Sequence, residues 1–302
     1  MVRKWPSFVQ LKEVGPRDGL QNEKEFISTD DKVAWIDMLS NSGVREIEYS
    51  SFVNPKWIPA LADAMEVGKR INRNPNVLYS ALVPNMRGLE NALEAGIDGA
   101  SVFMSASETH NQKNINKSIE GTYPILTQVI REAKQEGKKV TGYISTVFDC
   151  PYEGKISTEQ VIRVCDHLVE AGVDDISLGD TIGSAVPSQV EMLLEEILQR
   201  YPQEKIIMHF HDTRGMGVAN ILTSMQFGIT RFDTAIGGLG GCPYAPGAAG
   251  NVATNDVLYL LHGLGIGTGI QEKKIQDASI FIQSKLGKKL PSRSLAYIEG
   301  TA

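Results

Sequence analysis

The chain has 302 residues, of which 42% are hydrophobic and 22% are charged, and its formal net charge at pH 7 is −6. This composition is typical of a folded enzyme with enough apolar material for a large core. The acidic balance and the lack of a lysine- or arginine-rich block exclude nucleic acid as a principal partner, and no run of about 18 apolar residues could span a membrane.

The cysteines and the first residues indicate the compartment. Cys150, Cys165 and Cys242 are unevenly spaced and form no Cys-x-x-Cys pair, which favours a reducing compartment over a disulfide scaffold or a structural zinc site. Residues 1–8 are too short and too polar to act as a signal peptide. We therefore expect a cytoplasmic protein.

Eight short runs typical of β-strands follow one another along the chain, and helical patterns separate most of them. The strands are predicted near Phe8–Val14, Val44–Tyr49, Val77–Val83, Ala100–Met104, Lys139–Val147, Asp174–Leu178, Lys205–Phe210 and Arg231–Ala235. Helices are predicted, for example, over Asp31–Ser40, Gln160–Glu170 and Ser188–Arg200. Strand starts that lie 23 to 39 residues apart indicate parallel pairing through βα units.

A glycine precedes four of these strands and fits the C′ position of a helix, where a left-handed residue lets the chain turn into the next strand. The four are Gly43, Gly96, Gly172 and Gly228. Since no Pro/Ser-rich linker divides the chain, this weak repeat favours an α/β fold, a closed (β/α)8 TIM barrel with additional C-terminal helices, over a doubly wound open sheet. We expect one catalytic domain over residues 1–302, with the barrel over about 8–250 and a helical region over about 251–302.

Polar residues gather where the predicted strands end, which is where catalytic groups lie in such a barrel. In chain order these candidates are Glu13, Arg17, Asp18, Glu48, Ser51, Asn114, Ser177, Asp180, His209 and His211. Several of them, taken singly, would pass as ordinary polar residues of a loop or strand end. Their convergence at one end of the barrel is what predicts a site.

His209 and His211 flank Phe210 near the end of the seventh predicted strand. Because strand side chains alternate between faces, both imidazoles point the same way and can bind one divalent metal ion; a hydrogen-bonded histidine pair is the alternative. Asp18 offers a hard oxygen ligand at another strand end, and Asn251 could add an amide oxygen. Such donors without a thiolate pair favour Mg²⁺ or Mn²⁺ over structural zinc.

Charged residues near these candidates admit two interpretations each. Arg17, next to Asp18, is either a salt-bridge partner or a donor to an oxygen on which negative charge develops. Glu48 and Asp180 are either surface carboxylates or groups that orient Arg17 or the metal ligands. The other histidines, His110, His167 and His262, are interpreted as structural.

The run Gly237–Asn251 places Cys242 in a segment too rich in glycine and proline to be the interior of a helix or strand. Glycine permits positive φ and close approach to a ligand, whereas Pro243 and Pro246 restrict the loop. We expect a thiol that solvent or substrate can reach; a linker with an incidental cysteine is the alternative.

Three segments together resemble the hydroxymethylglutaryl-CoA lyase family, which belongs to the metal-dependent lyases and Claisen-condensing enzymes built on a TIM barrel. They are Val14–Glu23 (VGPRDGLQNE), Phe210–Gly215 (FHDTRG) and Gly237–Asn251. The resemblance runs from residue 8 to about 265. The first two segments are shared across the superfamily, whereas GLGGCPY in the third is specific to the lyase.

The resemblance implies a role for each matching position. It implies metal ligands at Asp18, His209, His211 and Asn251, a catalytic arginine at Arg17, a catalytic cysteine at Cys242 and an important glutamate at Glu48. His209 is also expected to take part in catalysis. Substrate contacts are expected from Arg17, Asn114, Ser51 and Ser177, with Glu13 and Asp180 in support.

The activity implied by the resemblance is cleavage of (S)-3-hydroxy-3-methylglutaryl-CoA to acetyl-CoA and acetoacetate, as in leucine degradation and ketone body formation. A metal ion would lower the pKa of the tertiary hydroxyl, Arg17 would stabilise the thioester enolate, and Cys242 would protonate it. The hydroxyl proton would go to His209 or to Asp18 through water. The implied partner is an acyl-CoA thioester, and the implied assembly is a homodimer.

Two other functions remain open from the sequence. One is a Claisen-type synthase of the same barrel that condenses acetyl-CoA with a 2-oxo acid, against which Cys242 and its glycine-rich loop discriminate. The other is a non-catalytic acyl-CoA-binding protein, which would not need the metal ligands and Cys242 together.

Overall fold

A computed structural model describes residues 5–241 and 250–301 of the chain. The strands are β1 (Gln10–Glu13), β2 (Glu46–Ser51), β3 (Leu78–Leu82), β4 (Gly99–Ser105), β5 (Lys139–Ser145), β6 (Asp149–Cys150), β7 (Gly154–Lys155), β8 (Asp175–Asp180), β9 (Ile206–Phe210) and β10 (Arg231–Thr234). The helices are α1 (Thr29–Ser40), α2 (Ala64–Arg70), α3 (Met86–Glu94), α4 (Glu108–Ile115), α5 (Ile119–Gln135), α6 (Thr158–Ala171), α7 (Pro187–Ile197), α8 (Gly217–Gln226), α9 (Thr254–Gly263), α10 (Glu272–Leu286) and α11 (Arg293–Thr301).

Within the described ranges, eight strands form a closed parallel barrel in the order β1-β2-β3-β4-β5-β8-β9-β10, and β10 pairs back onto β1. Closure is visible in the register of β1, where Lys12 lies opposite both Asp233 of β10 and Glu46 of β2. The predicted (β/α)8 barrel is therefore confirmed. The open-sheet alternative is wrong, because an open sheet would leave its two edge strands with one neighbour each. β6 and β7 form a short antiparallel hairpin apart from the barrel.

The glycines before the strands have the backbone conformation that the sequence predicts. The φ angles of Gly43, Gly96, Gly172 and Gly228 are 97°, 78°, 110° and 84°. Gly43 also has no room for a side chain, since a Cβ there would lie 2.1 Å from the carbonyl oxygen of Gly269. These turns fix where each helix ends and direct the chain into the next strand.

The barrel strands are buried because helices cover their outer face and side chains fill the inside. All residues of β2 and of β8 are buried. On the outside, Trp35 and Leu39 of α1 and Val161 and Leu168 of α6 are buried against the barrel core. The helices thus pack on the barrel wall through their apolar faces. The ends of the barrel are where polar residues can lie.

The inside of the barrel also contains ion pairs. The carboxylate of Asp175 accepts hydrogen bonds from both terminal nitrogens of Arg231 and lies 2.7 Å from Lys139 Nζ. Nearby, Lys12 Nζ lies 3.1 Å from Glu46 Oε1. Each of these charged side chains therefore has an opposite partner, which offsets part of its desolvation cost.

Residues beyond Gly250 return to the barrel and continue into α9, α10 and α11. Ala253 forms a parallel bridge with Ala235, and α9 begins directly after it. Ile275 and Ile282 of α10 are buried in the core. A distinct helical region over about 251–302 stays a prediction. In the part of the chain that the structure describes, no helix combines the length and apolar character needed to cross a membrane.

Candidate active site

A π-helical turn carries Arg17 and Asp18 directly from the carboxyl end of β1. The turn spans Gly15–Gly19, and the carbonyl oxygen of Val14 accepts hydrogen bonds from the N–H groups of Arg17 (3.1 Å), Asp18 (2.7 Å) and Gly19 (3.2 Å). Single π turns are rare and occur often at functional sites. The turn therefore places two adjacent charged side chains at the mouth of the barrel.

Glu13 connects this turn to the segments that follow the neighbouring strand, β10. Its Oε1 accepts hydrogen bonds from the N–H groups of Gly15 (2.8 Å) and Ile236 (2.9 Å), and its Oε2 accepts one from the Thr254 hydroxyl (2.7 Å). Burial raises the pKa of Glu13 to about 7, although the three donors counteract the shift. Glu13 thus supports the turn that carries Arg17.

The two histidines lie at the end of β9, and a crossing segment brings Asn251 beside them. The N–H of Val252 donates to the carbonyl oxygen of Phe210 at 2.9 Å, and His211 and Asn251 form an isolated antiparallel bridge. The imidazole rings of His209 and His211 are 5.3 Å apart between centres. The strand alternation that the sequence suggested thus places both rings on one side.

Asp18, His209 and His211 form a cluster of metal-ligand type, with one ligand atom from each within 4.8 Å of the others. The Nδ2 of Asn251 donates to Asp18 Oδ2 (2.8 Å) and to the carbonyl oxygen of Leu239 (3.0 Å). Its Oδ1 is buried without a hydrogen-bond partner among the described residues. Burying a polar atom without a hydrogen-bond partner costs about 1–3 kcal/mol of stability. The oxygen is therefore suited to act as a further metal ligand.

The charge states of these groups suit a cation. Burial alone would raise the pKa of Asp18, but Arg17, His209 and His211 outweigh burial and hold that pKa well below its usual range. Burial and the neighbouring His209 lower the pKa of His211 to about 4. Near neutral pH, Asp18 is therefore an anion and His211 a neutral imidazole, which are the forms that bind metal.

Two carboxylates and an aromatic ring hold the guanidinium of Arg17. Its Nε donates to Glu48 Oε2, its Nη1 donates to Asp18 Oδ1, and its Cζ lies 5.4 Å from the centre of the Tyr143 ring. Glu48 is fully buried, and its Oε1 accepts a hydrogen bond from Ser101 Oγ at 2.5 Å. No described residue accepts a hydrogen bond from Nη2 of Arg17. The two N–H groups of Nη2 can therefore donate to a ligand.

Behind His209 lies a carboxylate that the sequence reasoning missed. Asp233 Oδ2 is 3.2 Å from His209 Nδ1 and accepts a hydrogen bond from Ser177 Oγ at 2.7 Å. Ser177 was expected to contact substrate, but it is fully buried and its hydroxyl is used by Asp233. Asp233 of β10 lies opposite His209 of β9 in the strand register. An acidic residue inside this strand, the eighth of the predicted strands, was the sequence feature that could have revealed the contact.

A cavity of about 540 Å³ opens above the metal-ligand cluster. Its wall includes Arg17, Asp18, His209 and His211, together with Asn114, His110, Lys113 and Tyr143. The predicted position of Asn114 at the mouth of the barrel agrees with this wall. His110, interpreted from the sequence as structural, also lines the cavity. It lies four residues before Asn114 on α4, so the two side chains share one face of the helix, and this spacing could have predicted its position.

Ser51 and Asp180 accept hydrogen bonds from backbone N–H groups of the turns that follow their strands. Ser51 Oγ accepts a hydrogen bond from the N–H of Val53 at 3.3 Å. The Asp180 carboxylate accepts from the N–H groups of Ser184 (3.0 Å) and Ala185 (3.2 Å), and burial raises the pKa of Asp180 to about 6. The expectation of a substrate contact at Ser51 and of support for Arg17 or the metal ligands at Asp180 stays a prediction.

Cys242 lies outside the described residues, but both flanks of its segment reach the site. Gly241 lines the cavity. Gly240 has a φ of 115°, and a Cβ there would lie 2.9 Å from Asn251 Nδ2. A Cβ at Gly250 would lie 2.4 Å from the carbonyl carbon of Gly240. The described residues Gly240 and Gly250, on either side of the segment with Cys242, therefore lie close to each other and to Asn251.

Comparison with known proteins gives matches over nearly the whole chain. The family model described as HMGL-like matches residues 8–282. A hydroxymethylglutaryl-CoA lyase of Bacillus subtilis is 56% identical over 291 residues, which are 96% of this chain and 97% of the relative.

Solved structures agree with this match. A crystal structure of the B. subtilis HMG-CoA lyase superposes with a TM-score of 0.97 at 55% identity, covering 98% of this chain and 99% of that one. An HMG-CoA lyase from Acinetobacter baumannii, solved in complex with coenzyme A and 3-methylmalate, superposes with a TM-score of 0.92 at 38% identity, covering 96% and 95% of the two chains.

Proposed function

We propose, because this chain belongs to the HMGL-like family, that it is a carbon–carbon lyase that cleaves (S)-3-hydroxy-3-methylglutaryl-CoA to acetyl-CoA and acetoacetate. The similarity to hydroxymethylglutaryl-CoA lyases extends over 96% of the chain. The proposed chemistry rests on one observation: the cluster of Asp18, His209 and His211 lies beside Arg17, which donates to Asp18 through Nη1. The Nη2 of this guanidinium has no hydrogen-bond acceptor among the described residues. This arrangement joins a cation site to a donor for a developing negative charge.

The family is metal-dependent, and four side chains of this site would hold the cation: Asp18, His209, His211 and Asn251. The unpaired Oδ1 of Asn251 supports this assignment. The carboxylate and amide oxygens, together with the lack of a thiolate pair, favour Mg²⁺ or Mn²⁺. When bound, such a cation supplies Lewis acidity, which lowers the pKa of a coordinated tertiary hydroxyl group.

The side chains around the cation would then move the proton and stabilise the leaving group. Asp18, through water, accepts the proton of the tertiary hydroxyl, because His209, with Nδ1 toward Asp233 and Nε2 toward the cation, would have no free nitrogen for it. The bond between C2 and C3 breaks, the C3 oxygen becomes the ketone of acetoacetate, and the electron pair passes to the thioester as an enolate. Arg17 donates from Nη2 to the enolate oxygen, while Glu48 and Asp18 hold its other nitrogens. Cys242 returns a proton to C2, which becomes the methyl carbon of acetyl-CoA.

Replacement of Arg17 by glutamine should lower kcat by about 10²–10³-fold, with only a modest change in KM, because the donor acts where charge develops in the transition state. Steady-state assays of acetoacetate formation measure both constants. Arg70→Gln, which alters an exposed arginine paired with Asp30 and Glu66, is the matched control and should keep the original kinetics. A large rise in KM with kcat unchanged would instead make Arg17 an anion-binding residue.

The site also suits an acyl-CoA thioester as partner. The cavity is open to solvent and has polar groups on its wall, and a relative with the same fold was solved with coenzyme A. As further parts of the proposal, the chain acts as a homodimer in the cytoplasm, and its reaction serves leucine degradation and ketone body formation.

A synthase that condenses acetyl-CoA with a 2-oxo acid is the alternative enzyme of the same barrel. Separate incubations test the choice: the protein with (S)-3-hydroxy-3-methylglutaryl-CoA, and the protein with acetyl-CoA and a series of 2-oxo acids. We expect acetoacetate in the first and no release of free CoA in the second. Condensation without cleavage would make the chain a synthase, and binding without turnover in either would make it an acyl-CoA-binding protein.

A further inference from the structure

The two histidines of the candidate metal site are supported in different ways. His209 Nδ1 lies 3.2 Å from the carboxylate of Asp233, inside the barrel. His211 Nδ1 is buried and has no hydrogen-bond partner within residues 5–241 and 250–301. Among the described residues, a carboxylate therefore lies within hydrogen-bonding distance of Nδ1 in His209 and not in His211.

Asp233 is itself held in place. It is 1% exposed, so solvent does not share its hydrogen bonds, and the Ser177 hydroxyl donates to its Oδ2 at 2.7 Å. Asp233 and Ser177 lie on β10 and β8, the two strands that flank β9. A change of rotamer at His209 would break its contact with Asp233, and Ser177 on the other neighbouring strand holds Asp233 in the position that makes this contact.

A carboxylate at Nδ1 can only accept a hydrogen bond, so it favours the imidazole with the proton on Nδ1. The lone pair then lies on Nε2, which is the nitrogen left to face the metal-ligand cluster. Partners of this kind fix the tautomer and the orientation of histidine ligands, and their loss commonly costs about 10–100-fold in metal affinity.

We propose that Asp233, fixed by Ser177, is a positioning residue that holds His209 in the orientation and tautomer required for the divalent cation. This inference rests on the proposed function for the role of the cation, but it concerns binding and not turnover. In this inference, Ser177 supports the metal site indirectly, through its hydrogen bond to Asp233.

The test is the affinity of purified metal-free protein for Mn²⁺, measured by the electron paramagnetic resonance signal of the free ion. Asp233→Asn keeps the side-chain volume but removes the negative acceptor, so the dissociation constant should rise about 10–100-fold. Ser177→Ala should raise it by a smaller factor in the same direction. Asp175→Asn is the matched control: it alters another buried aspartate of the barrel, paired with Arg231, and should leave Mn²⁺ affinity unchanged.

A double-mutant cycle separates positioning from general destabilisation. If Asp233 acts through His209, then Asp233→Asn should add nothing to the loss already caused by His209→Ala. Wild-type Mn²⁺ affinity in folded Asp233→Asn, or in Ser177→Ala should the first variant not fold, would overturn the inference. An equal loss in Asp175→Asn would overturn it as well.

The outcomes distinguish this inference from the proposed function. A wild-type protein whose Mn²⁺ affinity depends on Asp233 but which releases no acetoacetate contradicts the proposed function and leaves the inference standing. An active lyase in which Asp233→Asn binds Mn²⁺ normally contradicts the inference alone.

Discussion

Replacement of His211 by alanine should reduce acetoacetate formation by on the order of 10³-fold or more. The substitution removes one of three ligand atoms that lie within 4.8 Å of one another, and the remaining groups would hold a cation weakly. Lewis-acid activation contributes several kcal/mol to such reactions, and each ~1.4 kcal/mol changes the rate tenfold. Turnover at saturating Mg²⁺ measures the effect, with metal content of the purified variant determined in parallel.

The control for this experiment is His262→Ala. His262 lies on α9, partly exposed, with its Nδ1 2.5 Å from Glu272 Oε1. Its removal changes the number of histidines without touching the cavity, so turnover and metal content should stay at their original values. Full activity in His211→Ala would exclude this histidine from the metal site.

Replacement of Cys242 by serine should lower kcat by about 10²–10⁴-fold while the affinity for metal and substrate is retained, because a positioned proton donor is lost. A serine hydroxyl is a far weaker acid than a thiol, but it is almost the same size. Cys242 itself lies outside the described residues, and its role here is a prediction from the sequence; the preceding residue, Gly241, lines the cavity. Single-turnover measurements of acetyl-CoA formation give the rate of the chemical step directly.

Alkylation provides an independent measure of the same cysteine. Iodoacetamide should inactivate the wild-type protein, substrate should protect it, and Cys242→Ser should show no such inactivation. Cys150 and Cys165 are buried, and burial raises the pKa of the Cys165 thiol, so both should react slowly. Cys165→Ala is the matched control and should remain as sensitive as the wild type. An acyl group trapped on Cys242 would show that this thiol is a nucleophile instead.

The barrel could be predicted from the sequence because its signals are local. Strand runs separated by helices indicate parallel pairing, and each glycine before a strand ends a helix through its own φ angle, as at Gly43 and Gly172. The same holds for His209 and His211, whose common direction follows from strand alternation. Such features depend on neighbours in the chain and not on the rest of the fold.

The support of these residues could not be predicted in the same way. Asp233 is 24 residues from His209 in the chain and meets it only through the register of β9 and β10. Ser177 was assigned to substrate because a serine at a strand end looks the same whether it faces the cavity or a neighbouring strand. Both carboxylate oxygens of Asp180 likewise accept hydrogen bonds from N–H groups in the turn after its own strand. These contacts depend on the geometry of the loop, which the sequence pattern does not give.

The most direct test of a metal-dependent lyase is the release of acetoacetate from (S)-3-hydroxy-3-methylglutaryl-CoA by the unmodified chain, measured with EDTA and again after Mg²⁺ is restored. We expect no acetoacetate above background with EDTA. After Mg²⁺ is restored, acetoacetate and acetyl-CoA should form in equal amounts. An equal rate of acetoacetate release in the presence of EDTA, or no release with Mg²⁺ or Mn²⁺ present, would contradict the account.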